Sequence, residues 1–201
     1  MNDIKSSRFQ TKREKKVELR SSFIGRARQY LILNPNARQQ LSKAFGLSVT
    51  ASDAVELSHL FTVMTEEIYN GEQIRTVSDT KLEAYFFVFT MMAHYAKSSE
   101  INGKEHIETK LKRLYWNSSS SNTTKEKIRT LMGKQLGDSG LFQKQLASLT
   151  KLIGKEYMAD VDYISLLQDL CEWNCYDNCG TVSKICYRWS KEIFLYKEEE
   201  E

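Results

Sequence analysis

The chain is short of the residues that break regular structure. Its 201 residues include one proline and nine glycines. An all-β sandwich or barrel needs many more turn-formers than that. No apolar run approaches the roughly 20 residues that span a bilayer as a helix, so nothing reads as a membrane segment. The start, MNDIKSSRFQTKREKK, is basic with no apolar stretch behind it. It does not read as a secretory signal, and a cytoplasmic location is expected. Phosphate-loop, dinucleotide and zinc-protease motifs are absent. The three histidines, His59, His94 and His106, lack partners at metal-ligand spacing. No spaced carboxylate pair suits a nuclease with two Mg²⁺ ions. The expectation is a protein with no catalytic site, no metal and no cofactor.

Cysteine is scarce and confined. Cys171, Cys175, Cys179 and Cys186 lie within 16 residues and lack the Cys-x2-Cys knuckles of common zinc sites. Cys171 and Cys186 fall on amphipathic helices and read as small buried hydrophobes. Cys175 and Cys179 fall at a helix end and in the next loop, where a metal site or a redox pair is the alternative. A cytosolic setting argues against structural disulfides.

What the chain does have is charge in blocks. Residues 1–50 carry a net +8, residues 51–100 −5, residues 101–155 +7 and residues 156–201 −7, leaving +3 overall. A fold that joins the basic blocks makes a polyanion-binding surface that the total understates. A fold that keeps them apart makes solvated helix faces.

Apolar residues recur at helical spacing through most of the chain. The fold class is therefore all-α, a helical bundle of two small helical subdomains. Residues 1–20 read as a basic flexible arm or the exposed start of a helix, and 21–116 as an N-terminal helical part. Residues 117–124 (NSSSSNTT) read as a flexible loop, 125–197 as a C-terminal helical part and 198–201 as an acidic tail. Phe23, Ile24, Tyr30, Leu31 and Leu33 mark a first packed helix that stops near Asn34-Pro35. Asn36 is placed to cap a short helix that Gly46 ends. Ser52-Asp53 opens a helix with Leu57, Leu60, Phe61 and Met64 at helical spacing. Ser78-Asp79 opens a long one with Leu82, Tyr85, Phe86, Phe89 and Met92 on its apolar side. That stripe reads as core, because a cofactor box needs polar partners that the segment lacks. A helix from about Lys104 to Trp116 follows, and Thr124 is placed to cap another that runs to Gly137.

The last third carries the functional reading. Gly137-Asp138-Ser139 breaks the chain, and Asp138 or Ser139 can cap a helix that runs to about Gly154. On a helical wheel Phe142, Leu146, Leu149 and Ile153 fall within about 60° of one another. Lys144, Lys151 and Lys155 fall within about 40° on the opposite side, with Ser148 among them. Lysines so placed can follow a phosphate backbone without reading bases. Asp160 and Thr181 open two further amphipathic helices, which carry Trp173 and Trp189. Both tryptophans read as core.

GDSGLFQKQLASL, then VDYISLLQDLCEW, then YRWSKEIF resembles the CasB family, the small subunit of the type I-E CRISPR Cascade complex. The positions that carry the resemblance are Gly137, Asp138, Ser139, Phe142, Lys144, Val161, Asp162, Tyr163, Leu166, Leu167, Asp169, Leu170, Trp173, Trp189, Ile193 and Phe194. Ala37, Arg38, Leu41, Lys43 and Gly46 are similar to an early helix of that family. Gln145 stands where its pattern has a second basic residue.

The resemblance implies an all-α, non-catalytic protein that works in antiviral defence inside a ribonucleoprotein complex. Its implied partners are crRNA and target DNA, other Cascade subunits and a second copy of itself. It would stabilise the guide–target heteroduplex and the displaced strand while base pairing reads sequence. On this reading the nucleic-acid contacts are Arg38, Lys43, Lys144, Lys151 and Lys155. Arg26, Arg28, Lys112, Arg113, Arg129 and Lys134 form a second tier chosen by charge. The alternative is a helical adaptor that docks an acidic protein; a third reading is a redox module built on the cysteines.

Overall fold

The computed structural model describes residues 12–65, 69–70, 73–74, 77–95, 103–137, 140–173 and 183–195. The helices are α1 (Lys12–Leu33), α2 (Pro35–Lys43), α3 (Ala54–Val63), α4 (Asp79–Tyr95), α5 (Ile107–Trp116), α6 (Asn122–Leu131), α7 (Leu141–Ile153), α8 (Lys155–Met158), α9 (Tyr163–Cys171) and α10 (Lys184–Phe194). A 3-10 turn covers Val49–Ala51, and a two-residue antiparallel ribbon pairs β1 (Tyr69–Asn70) with β2 (Gln73–Ile74). The all-α class holds.

Helix α4 is the axis of the fold. Every residue from Glu83 to Ala93 is buried, as expected of a helix that is apolar on all sides. α1, α2, α3 and α9 pack around it. The C-terminal α9 therefore lies against N-terminal helices. The buried apolar side chains, from Phe23 to Ile193, form one connected cluster.

At the other end, α5, α9 and α10 are locked by polar bonds inside apolar surroundings. The indole of Trp189 donates to Asp169 Oδ2 at 2.8 Å, and that of Trp173 to the carbonyl of Lys134 at 2.9 Å. The two indole rings meet at 4.9 Å, and Phe142 meets Trp173 at 4.8 Å. Arg188 pairs with Asp169 and reaches Glu108 Oε1 at 3.4 Å. Burial pushes both carboxyls above the usual carboxylate range; for Asp169 the Trp189 hydrogen bond and the Arg188 charge oppose it. Asp162 caps α9 by accepting from the amides of Ile164 and Ser165, both at 3.0 Å.

Several boundaries differ from those expected of the sequence. Helix α1 already runs from Lys12, so the second half of the basic stretch 1–20 is the start of a helix. Arg20 is buried and pairs with Glu172 at 3.4 Å, which ties this stretch to the end of α9. Leu33 points to solvent, 69% exposed. Pro35 opens α2 with Asn34, not Asn36, at the cap position, because Pro tolerates the first turn where no amide partner is needed. Ser121, not Thr124, caps α6 by accepting from the Thr124 amide at 3.1 Å. Asn117 and Ser120 fold the preceding turn onto itself and onto the carbonyl of Leu114. Helix α6 stops at Leu131 instead of Gly137, where the chain turns and offers the Lys134 carbonyl to Trp173. The expected caps Asp138, Ser139 and Thr181, the cysteines Cys175 and Cys179 and the acidic tail lie outside the described residues.

Candidate nucleic-acid interface

The turn that follows α2 lies on the middle of α7, and one glycine permits the approach. Gly46 has φ +94, and a Cβ there would sit 2.9 Å from Ala147 Cβ and 3.9 Å from Lys144 Cα. Gly46→Ala is therefore expected to cost about 1–3 kcal/mol, from backbone strain and from pushing this turn off α7. Gly25→Ala is the control. Gly25 lies inside α1 with nothing within 4 Å of its added Cβ, and the change should stabilise by about 0.5–1 kcal/mol. Urea unfolding followed by circular dichroism measures both, and equal effects at the two sites would refute the packing argument.

The same approach gathers the cations of two distant blocks. Arg38 Nε donates to the carbonyl of Ala93, near the end of α4, at 3.3 Å. Ser42 Oγ and His94 Nδ1 are 3.0 Å apart. The Phe45 ring stacks on His94 with centroids 5.1 Å apart and 28° between planes. Lys151 Nζ lies 5.8 Å from the Phe45 ring centre, within cation–π range. Burial lowers the pKa of His94 from the usual histidine value; the charges of Lys155 and Lys151 push the same way, against the lift from the Ser42 backbone. Lys151 and Lys155 thus stand near enough to act on His94, Ser42 and Arg38 of α2 bond to His94 and to the residue before it, and Lys144 lies under Gly46. Lys43, Lys144, Lys151 and Lys155 are exposed. Among the described residues no carboxylate pairs with any of these four.

Lys144, Lys151 and Lys155 do not lie on one continuous helix. Gly154, at φ +91, ends α7 after Ile153, and Lys155 opens the separate α8. The side chain of Ile153 is only half-buried. Gln145 does not face the stripe at all. Its Nε2 donates to Thr130 Oγ1 at 2.8 Å and to the carbonyl of Lys127, which fastens α7 to α6. The Gln at this position therefore removes no charge from the face formed by Lys144, Lys151 and Lys155.

Most of the second-tier cations have intramolecular work. Arg26 donates to the Val63 carbonyl at 2.9 Å and to Ser22 Oγ at 2.6 Å. Arg28 is half-buried on the same helix. Lys112 pairs with Glu192 at 3.7 Å, and Arg113 with Glu105 at 2.6 Å. Arg129 donates to the hydroxyl of Tyr115 at 2.6 Å and lies over its ring at 5.3 Å. Lys134 is half-buried beside Trp173. Ser42 and Phe45 are not singled out in the sequence, and His94 figures there only as a histidine without a metal-ligand partner. Their signal was weak, because nothing in sequence joins a histidine near the end of one helix to lysines some 57 positions away.

Among the described residues no group of three or more His, Cys, Asp or Glu side chains could hold a metal ion. Cys171 and Cys186 are buried and unbridged. Burial pushes the Cys171 thiol up to about 11, which leaves little thiolate at neutral pH.

Residues 38–194 match the family model of CRISPR-associated protein Cse2. No curated protein and no solved structure matches the chain. The matched stretch begins at Arg38 and ends at Phe194, so it takes in the basic face and all four helices from α7 to α10. With most of its length in that match, the chain belongs to the Cse2 family of CRISPR-associated proteins.

Proposed function

We propose that this protein holds nucleic acid backbone, without cutting it, through the face formed by Arg38, Lys43, Lys144, Lys151 and Lys155. Membership of the Cse2 family makes it a subunit of a type I-E Cascade complex in CRISPR defence, alongside other subunits. The nucleic acids proposed are the crRNA–target DNA heteroduplex and the displaced strand, and a second copy of the chain is the proposed neighbour in the complex. No described helix is long and apolar enough to cross a membrane.

The observation that carries the reading is the joining of two basic blocks, α2 with α7 and α8, around His94. Four lysines there have no carboxylate partner among the described residues. Lysine presents a point charge with rotatable donors, which suits a backbone whose sequence is read elsewhere by pairing.

Counterion release gives the test. Five phosphate contacts predict that log K falls with log salt at a slope of roughly −3 to −4 for a single strand. Fluorescence anisotropy with a labelled oligonucleotide of mixed sequence, over a salt series, measures it. A flat response at low salt would sink the proposal in favour of an adaptor that docks an acidic protein.

A further inference from the structure

We infer that His94 is a contact residue of the basic face and takes up a proton when that face binds a polyanion. The inference rests on the nucleic-acid reading above and names a residue and a linkage that the lysines alone do not provide.

The ring is held for such a contact. Ser42 fixes Nδ1 at 3.0 Å, Phe45 covers one ring face, and the edge contact with Tyr95 is at 4.7 Å and 88°. Nε2 has no hydrogen-bond partner among the described residues. The side chain is half-buried, with one nitrogen anchored and the other uncommitted. The charged groups that act on it are Lys155 on α8 and Lys151 on α7, and Arg38 on α2 bonds to the carbonyl of the residue before it. Among the described residues no carboxylate pairs with it.

In the free protein, burial disfavours the imidazolium, and Lys155 and Lys151 act in the same direction. A phosphate that neutralises those lysines removes part of that cause. A phosphate oxygen at Nε2 favours the imidazolium directly, since both nitrogens then donate, one to the phosphate and one to Ser42 Oγ. The bound state therefore holds more protons than the free state. Affinity should rise as pH falls from the bound-state pKa of His94 toward its free-state pKa, and level off beyond each. Each unit between those two values is worth about tenfold in affinity.

The experiment uses the full chain and a single-stranded deoxyoligonucleotide. The Cε1–H resonance of His94 is titrated by NMR with and without saturating oligonucleotide, with His59 and His106 as internal controls. Dissociation constants are measured between about pH 8 and about pH 5.5 for wild type and His94→Gln. The expected result is a His94 midpoint shifted to higher pH by the oligonucleotide, tighter wild-type binding at low pH, and a flatter profile for the variant. If the oligonucleotide binds but the His94 midpoint stays put, the inference falls and the nucleic-acid reading stands. If the midpoint moves but His94→Gln keeps the full pH dependence, the linkage falls likewise. If nothing binds at low salt at any pH, both fall.

Discussion

Reversing Lys144, Lys151 and Lys155 to Glu together is expected to weaken single-strand binding by roughly a hundredfold or more at low salt. The reasoning is electrostatic. Each lysine that contacts a phosphate releases about 0.7 of a counterion from a single strand. Losing three such contacts should make the salt slope shallower by about 2, and the new carboxylates add repulsion that fades with salt. The fold should tolerate the change, because all three side chains are exposed and unpaired with any described carboxylate. Surface substitutions of this kind shift stability by about 0.5 kcal/mol or less. Reversing Lys112 and Arg113 serves as the contrast. Both already pair with carboxylates, Glu192 and Glu105, so their reversal should cost stability more than salt-dependent affinity. Anisotropy and urea unfolding on the two sets separate the outcomes. An unchanged slope in the triple variant would remove the face from the proposed function.

Trp189→Ala is expected to destabilise the protein by about 3–5 kcal/mol. A domain of ordinary stability has only about 5–15 kcal/mol to lose. Trp189 is fully buried against Trp173, and its indole donates to a carboxylate that is itself buried. Truncation would empty the space between α9 and α10 and leave Asp169 with Arg188 as its remaining partner. Trp189→Phe keeps a ring against Trp173 and loses the hydrogen bond, for a smaller cost of about 1–3 kcal/mol. Far-ultraviolet circular dichroism in urea is the proper readout, since indole fluorescence changes with the substitution itself. A loss under about 1 kcal/mol for the Ala variant would show that the site collapses around the gap.

Much of the fold was legible because it depends on local pattern. Burial of Phe142, Leu146 and Leu149 follows from their 3.6-residue spacing, and Asp53 caps α3 with a reciprocal bond from Glu56. The V-D-Y-x-x-L-L-x-D-L-x-x-W stretch has a physical account in most of its positions: a cap at Asp162, core at Leu166, Leu167 and Leu170, and a buried acceptor at Asp169 for the indole of Trp189. Boundaries were less legible where a distant group decided them. The Lys134 carbonyl is claimed by an indole 39 residues away. Arg20 is drawn out of the expected arm by Glu172, 152 positions on.

By itself the sequence determined an all-helical chain, the apolar faces of its helices and the location of its basic blocks, because periodicity and charge are properties of neighbours along the chain. Its likeness to a known family rested mainly on packing residues. Only the tertiary structure decided which cations stand together. The second-tier arginines and lysines looked equivalent to the first by charge, yet several are held by carbonyls, a phenol or carboxylates from other helices. Lys151 and Lys155 come near His94 and α2 because Gly46, in the turn after α2, lets the chain press on α7. Contact between segments a hundred residues apart depends on the packing of the whole core, and no local pattern encodes it.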